Sequence, residues 1–296
     1  MKQTIPATEQ VNTCSRDLDK KTPNQLAAIF NAQDYGAARA VKNAHREIAT
    51  VMLRAARTYA TGHKIIFIGA GTSGRLGILE AVECVPTFRT KPSQIIGLIA
   101  GGHKAVFRSQ EGAEDDAKAG AQEIAYHASQ EDLVIGLAAS GNTPYVQGAL
   151  KKARQIGAHT ALISCNEKAN VRYVQTHIYL PTGPEALTGS TRMKAGTATK
   201  MALNAITTGA MVLCGKTYGN LMIDVQPTNQ KLIARAVRLI CAVAQTDTKT
   251  ARQLLSASGK NVKVAILMHR KHLSRRQAQK NLQQARGFLK EALTHD

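Results

Sequence analysis

The chain has 296 residues, room for one large domain or two ordinary ones, and its 44% apolar content excludes a disordered chain. Lys and Arg number 39 against 20 Asp and Glu, a formal net charge of +19, so nucleic acid or an anionic substrate enters as a partner. There is no Trp and aromatics are only 4%, which leaves few stacking platforms for single-stranded nucleic acid.

Residues 1–24 are polar, lack apolar periodicity and read as an extended arm. Thr22-Pro23 marks a helix start, because Pro is tolerated in a first turn. Apolar residues then recur at helical spacing from Leu26 to Tyr59, in two segments broken near Asp34-Tyr35-Gly36. Lys64–Ile68 is almost wholly apolar and runs into Gly69, the pattern of a strand buried on both faces. Similar runs follow at Ile95–Ile99, Leu133–Leu137 and Thr160–Ile163, with a weaker one at His177–Leu180. Helical patterns lie between them at Arg75–Glu83, Glu114–His127 and Tyr145–Ile156. This alternation predicts βαβ units and a parallel sheet. Thr191–Cys214 reads as a long helix rich in small residues, and Asn229–Gln245 as an amphipathic one. The stretch 249–296 has no strand run, and its short helical patterns break at Ser258-Gly259 and Leu273-Ser274. Two domains are therefore expected, 1–248 and a small helical 249–296. The basic excess concentrates late: residues 226–296 hold 14 Lys and Arg against 3 Asp and Glu.

Five cysteines, odd in number and without a Cys-x-x-Cys, argue against a disulfide framework or a zinc site and fit a reducing cytosol. No run approaches the roughly 18 apolar residues of a membrane span. The start MKQTIPATEQ has no apolar core and does not read as a secretory signal.

The first strand runs into Gly69-Ala70-Gly71-Thr72-Ser73-Gly74-Arg75, formally G-x-G-x-x-G before a helix. The dinucleotide reading fails on its second half, since the next strand ends in Ala100-Gly101-Gly102-His103 with no acid for a ribose. A P-loop fails too, because Arg75-Leu76 stands where Lys-Ser/Thr is needed. What remains is an anion site, with backbone N–H groups converging at a helix N-terminus and hydroxyls on Thr72 and Ser73. Alone, the loop is equally a tight turn without a ligand. A second loop, Ala138-Ala139-Ser140-Gly141-Asn142-Thr143 before Pro144, repeats the arrangement after Leu133–Leu137. Open α/β sheets bind ligands outside the carboxyl ends of their strands, so the pair points to one phosphorylated ligand held from two sides.

These Ser/Thr loops resemble those of the SIS (sugar isomerase) fold, which binds phosphosugars. A longer series narrows the likeness: Gly69–Phe88, Gly97–Gly102, Glu111–Asp115, Ala138–Tyr145 and Gly183–Thr197 together resemble the N-acetylmuramic acid 6-phosphate etherases, in constant order over about residues 8–270. Glu9-Gln10 with Asp17-Leu18-Asp19 resembles that family's N-terminal arm. The resemblance implies an α/β SIS-type three-layer sandwich with a central parallel sheet, an N-terminal helical arm and a small C-terminal helical domain. It implies cleavage of a D-lactyl ether to N-acetylglucosamine 6-phosphate and D-lactate, without metal or organic cofactor. It further implies a homodimer in bacterial cytoplasm, serving cell-wall sugar recycling.

Elimination of a 3-O-lactyl group needs a base at carbon 2 of the open-chain aldehyde and an acid at the ether oxygen, and two carboxyl groups suffice. The family's two acids match Glu83, assigned as the acid, and Glu114, assigned as the base. An ordinary Glu titrates at about 4.3, so the acid must be raised by burial or a neighbouring charge. Phosphate and sugar contacts are expected from Gly71, Thr72, Ser73, Gly74, Ser140, Gly141, Asn142 and Thr143, and from Glu185 in Gly183-Pro184-Glu185. Glu111 and Asp115 compete with Glu114, and Glu114 also suits a helix's first turn, where carboxylates are favoured. Arg192 and Lys194 face phosphate, a partner subunit or solvent; His103 reads as incidental. Val85 departs from the family's Glu-Cys-Pro-Pro-Thr run, and the basic tail departs from it more widely. The rival readings are an aldose–ketose isomerase of the same fold and a non-catalytic phosphosugar-sensing SIS regulator. Nothing like a helix-turn-helix precedes the loops, and only one SIS copy is present. The expected partner is thus a phosphorylated amino sugar, with neither a membrane nor, despite the charge, nucleic acid.

Overall fold

In the computed structural model, which describes residues 5–294, Thr22 opens the first long helix, α1 (Pro23–Asn43). Its hydroxyl accepts from the Gln25 amide, the Gln25 side chain accepts from the Thr22 amide, and Pro23 takes the first helical position. The break expected at Asp34-Tyr35-Gly36 falls instead at Ala44, before α2 (His45–Ala60). A mid-helix Gly costs only about 1 kcal/mol against Ala, too little to end a helix that buries Ala37 and Ala40 on the next turn.

The arm is not extended. It folds into single 3-10 turns at Ala7–Glu9, Thr13–Ser15 and Leu18–Lys20. Side-chain hydrogen bonds pin it, which apolar periodicity does not register. Asn12 Nδ2 donates to Gln33 Oε1 (2.8 Å) and to the Pro184 carbonyl (3.1 Å), and Ser15 Oγ donates to the Ala186 carbonyl (2.7 Å). Residues 1–4 of the expected arm, and 295–296 of the expected tail, lie outside the described residues.

After α2 the chain alternates: β1 (Ile65–Gly69), α3 (Gly71–Phe88), β2 (Ile95–Ile99), α4 (Gly102–Phe107), α5 (Ala117–His127), β3 (Leu133–Leu137), α6 (Pro144–Gln155), β4 (His159–Ser164), β5 (Thr176–Tyr179) and α7 (Lys194–Leu213). The strands form one parallel sheet in the order β2-β1-β3-β4-β5, with Ile65 level with Ile95 and Leu133. β1 and β3 are buried along their whole length, as their unbroken apolar runs require. Ile66, Ile68, Val134 and Leu162 pack with Ile124 of α5 and Val146 and Leu150 of α6. Each such side chain, fully buried, contributes about 1.5–3 kcal/mol. α2 and the first turns of α3 pack on the sheet as well, with Gly77 against Phe67 and Leu137. Helices over a parallel sheet give the expected layered α/β fold. α5 and α6 lie close because Gly120 and Gly148 are bare: a Cβ at either would run into the carbonyl oxygen of Tyr145 or Ala117.

Residues 1–81 with 93–207 form one compact unit, and 82–92 with 208–296 a second. The second unit thus begins well before residue 249. Its helices are α8 (Gln230–Ala244), α9 (Thr248–Ala257), α10 (Val262–Arg270), α11 (Arg275–Gln284) and α12 (Leu289–Thr294). Composition shifts at 249, but packing does not: Val237, Ile240 and Val243 of α8 share one cluster with Leu255, Val264, Ile266, Leu267 and Leu289. Lys263 is buried within this unit, and its Nζ donates to the carbonyls of Gly215 (3.0 Å) and Gly287 (3.1 Å) and pairs with Asp224 (3.1 Å).

Candidate functional site

The first loop is forced by its glycines. A Cβ on Gly69 would sit 2.8 Å from the Gly74 amide nitrogen, and one on Gly74 would sit 2.7 Å from the Gly69 carbonyl oxygen. Gly71 opens α3 at φ +52°, a left-handed conformation that glycine takes freely. The first amides of α3 therefore emerge at the carboxyl end of β1 without helical partners. The Thr72 and Ser73 hydroxyls have no hydrogen-bond partner among the described residues.

The second loop is held from behind. Gln147 Nε2 donates to the Gly141 carbonyl (2.8 Å), Asn166 Nδ2 to the Ser140 carbonyl (2.9 Å), and the Asn170 amide to Asn142 Oδ1 (2.9 Å). Ser164 Oγ lies 3.1 Å from the Asn166 carbonyl and 2.8 Å from His177 Nε2. A hydroxyl has one hydrogen, so both contacts are satisfied when His177 Nε2–H donates to Ser164 and Ser164 donates to Asn166. Burial pushes the His177 imidazole below its ordinary pKa, which favours the neutral ring. The working atoms face the other way. Ser140 Oγ accepts from the Asn142 amide (3.2 Å), leaving its own hydrogen free, and Thr143 sits at the N-cap position of α6 without using its hydroxyl as a cap.

Both loops line one cavity of about 410 Å³, with Gly71, Thr72 and Ser73 on one side and Ser140, Asn142 and Thr143 on the other. Gly74 and Gly141 shape these loops and are not among the lining residues. Glu114 lies in the same wall. The helix start expected there falls later: Glu114 occupies a 3-10 turn, Ala113–Asp115, and Asp116 caps α5 by accepting from the Ala119 amide (2.9 Å). The four neighbouring acids thereby separate. Glu111 accepts from Ser109 Oγ (3.1 Å) and Asp116 is a cap, while Glu114 and Asp115 face the cavity. Glu114 also lines a smaller adjoining hollow with Glu111 and Arg75, whose guanidinium bonds the Ala105 and Val106 carbonyls.

Other expected site residues are placed differently. Glu83 is an exposed residue twelve positions after Gly71 along α3, in the segment that belongs to the second unit. Glu185 is fully buried and takes no part in the cavity wall. Its two oxygens accept from the Lys194 (3.0 Å) and Ala195 (2.8 Å) amides and so cap α7, and burial raises its pKa. Lys194 is buried too, bonded to Gln33 Oε1 (2.9 Å), with its pKa lowered by burial; it does not face solvent and is not among the cavity-lining residues. Arg192 and His103 are exposed. The Glu185 cap sets the turn before α7, and Thr191 in that turn reaches the cavity.

Sequence reasoning missed Thr8, Glu9 and Thr191 as lining residues, and Asn166, Ser164, His177 and Gln147 as supports; Asp115, weighed there as a rival to Glu114, lines the cavity as well. It also missed Glu80, a buried carboxylate one turn before Glu83 on α3, which accepts from Asn204 Nδ2 (2.6 Å) and Thr207 Oγ1 (2.5 Å). None of these carries a local pattern, and the Asn166 and Glu80 bonds join residues 26 to 127 positions apart.

The free hydroxyls make a direct prediction. Ser73→Ala and Ser140→Ala each remove a hydroxyl donor from the cavity wall, and a hydrogen bond from such a donor to a charged ligand group would contribute about 1.5–3 kcal/mol. Each substitution is expected to weaken a phosphorylated amino sugar roughly 10- to 100-fold in calorimetric titration, by that same energy, and to leave the unphosphorylated sugar nearly unchanged. Equal losses for both sugars would remove these loops from phosphate binding.

Comparison with known proteins supplies the family. The SIS domain family matches residues 113–209, and the glucokinase regulatory protein N-terminal SIS domain matches residues 47–154. The N-acetylmuramic acid 6-phosphate etherase of Exiguobacterium sp. is 47% identical over 97% of this chain and 98% of its own length. That of Microcystis aeruginosa is 48% identical over 97% and 94%, and that of Oenococcus oeni 43% over 97% of each. With identity at this level along nearly its whole length, the chain belongs to the N-acetylmuramic acid 6-phosphate etherase family.

Proposed function

We propose that this protein cleaves the D-lactyl ether of N-acetylmuramic acid 6-phosphate, releasing D-lactate and N-acetylglucosamine 6-phosphate in amino-sugar recycling. As a member of its family it is an enzyme, a carbon–oxygen lyase. The observation that carries the reading beyond family membership is the cavity itself. Two hydroxyl-bearing loops and the Glu114 carboxylate converge at the carboxyl edge of a parallel sheet.

The phosphate rests on the α3 amides and on the Thr72, Ser73, Ser140 and Thr143 hydroxyls. Glu114 takes the carbon 2 proton of the open-chain sugar. The electron pair moves toward the carbonyl and then expels the lactyl oxygen from carbon 3, which takes its proton from Glu83. Water adds to carbon 3 of the unsaturated aldehyde and a proton returns to carbon 2. Both glutamates are exposed in the single chain. The working form is a homodimer in the cytoplasm, whose reducing conditions suit five cysteines that form no disulfide among the described residues. Among the described residues no helix is long and apolar enough to cross a membrane. The basic excess of residues 226–296 covers a packed helical unit, and nucleic acid is not a partner in this reading.

The test is to incubate the full chain with N-acetylmuramic acid 6-phosphate and assay D-lactate. Release at catalytic turnover supports the reading. Conversion of an aldose phosphate to its ketose without lactate would favour an isomerase, and tight sugar-phosphate binding with no turnover a sensor.

A further inference from the structure

We propose that Glu9, carried on the N-terminal arm, is a substrate-contacting specificity residue. Its carboxylate accepts a hydrogen bond from a hydroxyl or amide N–H on the sugar portion of the phosphorylated ligand. This rests on the sugar-phosphate reading of the cavity and deepens it.

Glu9 lines the same cavity as Ser73 and Ser140, together with its neighbour Thr8. The arm that carries it is fixed. Thr8 is 1% exposed, and Asn12 and Ser15 tie the following turns to the Pro184 and Ala186 carbonyls. Those bonds hold the arm on the 183–191 segment, which also brings Thr191 to the cavity. The carboxylate lies close to Gly189, where a Cβ would sit 3.0 Å from Glu9 Oε2, and the φ of Gly189 is +77°.

Among the described residues nothing donates to the Glu9 carboxylate and no cation pairs with it. Glu111, Asp116 and Glu185 all have protein donors. An ionised carboxylate only accepts hydrogen bonds, so its ligand partner must be a donor. A phosphate dianion offers none near neutral pH and is repelled. The sugar offers several. Glu9 therefore divides the cavity by chemistry: donors on the two loops select the phosphate, and an acceptor on the arm selects the hydroxyl-bearing remainder. A site with only the loops would take any small phosphate; Glu9 restricts it to phosphorylated sugars.

The experiment uses the full chain, with Glu9→Ala and Glu9→Gln, and two probes: N-acetylglucosamine 6-phosphate and inorganic phosphate. Calorimetric titration of Glu9→Ala is expected to show the sugar phosphate weakened about tenfold or more, as for loss of a charge-assisted bond. Inorganic phosphate should bind unchanged or tighter. Glu9→Gln keeps an acceptor oxygen and should fall between wild type and Glu9→Ala; it carries the test if the alanine variant does not fold. Equal weakening of both probes would make the arm a structural prop and overturn the proposal. So would wild-type sugar-phosphate affinity in both variants. A wild-type protein that binds no sugar phosphate overturns the reading of the cavity itself, an outcome distinct from a competent wild type with indifferent variants.

Discussion

Glu114→Gln is expected to abolish exchange of the substrate's carbon 2 proton with solvent deuterium and to lower turnover by about 10²–10⁴-fold, the usual worth of a positioned acid or base. The amide fills the same space on the same 3-10 turn, so the fold and phosphate binding should persist. Gly112 sets that turn at φ +72°, and Asp116 caps the helix after it; neither depends on the Glu114 side chain. Glu83→Gln should lower turnover by a similar factor but at a later step. An amide cannot give a proton to the ether oxygen, so exchange at carbon 2 should continue while lactate release fails. The two variants thus separate two roles by one measurement, proton NMR of the substrate in deuterated buffer. Wild-type exchange in Glu114→Gln would hand the base to another carboxylate, and Asp115 on the same wall is the first to examine.

The second large effect concerns stability. Asp224→Ala is expected to destabilise the protein by about 3–5 kcal/mol, because it strands a buried charge. Asp224 Oδ2 lies 3.1 Å from Lys263 Nζ and 2.9 Å from Lys216 Nζ, and the Lys263 side chain is only 5% exposed. The Gly215 and Gly287 carbonyls remain as acceptors but neutralise nothing. Lys263→Met should cost less, since it removes the buried charge and leaves Asp224 paired with Lys216. Urea unfolding of the full chain measures both. A change below about 1 kcal/mol for Asp224→Ala, the range of exposed pairs, would make this an ordinary surface pair. Burial lowers the Lys263 pKa despite Asp224. The unfolded chain therefore holds this proton at pH values where the folded chain releases it. Stability gained from this group rises with pH through the window between the lowered value and the ordinary lysine value, and Asp224→Ala widens that window.

The sequence displayed what local physics controls. The unbroken apolar runs at Ile65–Gly69 and Leu133–Leu137 are the central strands, and glycines 69 and 74 announce a turn that no other residue fits. Thr22-Pro23 opens a helix where capping chemistry says it should. Errors came where a weak local preference met a tertiary contact. Gly36 looked like a breaker, yet burial of Ala37 and Ala40 carries α1 past it. Residue 249 looked like a boundary, yet α8 shares its apolar face with the helices that follow. The site divides in the same way. Hydroxyl loops after parallel strands were legible, because their geometry is set within a few residues. Glu185 was not, because it caps amides nine and ten positions away rather than the usual two or three, so a buried cap resembled a sugar contact. Thr8 and Glu9 were not, because the hydrogen bonds that hold the arm join residues more than 170 positions apart.

Elimination followed by hydration makes a claim about single atoms, and labelled water reads it directly. The full chain turns over N-acetylmuramic acid 6-phosphate in deuterium oxide enriched in oxygen-18, and both products are weighed by mass spectrometry. If Glu114 removes the carbon 2 proton and the carbon 3–oxygen bond breaks, N-acetylglucosamine 6-phosphate gains deuterium at carbon 2 and oxygen-18 at carbon 3. D-lactate keeps the original ether oxygen and carries no oxygen-18 at carbon 2. Oxygen-18 at lactate carbon 2, with none at sugar carbon 3, would mean that the bond breaks on the lactyl side, and it would contradict the mechanism.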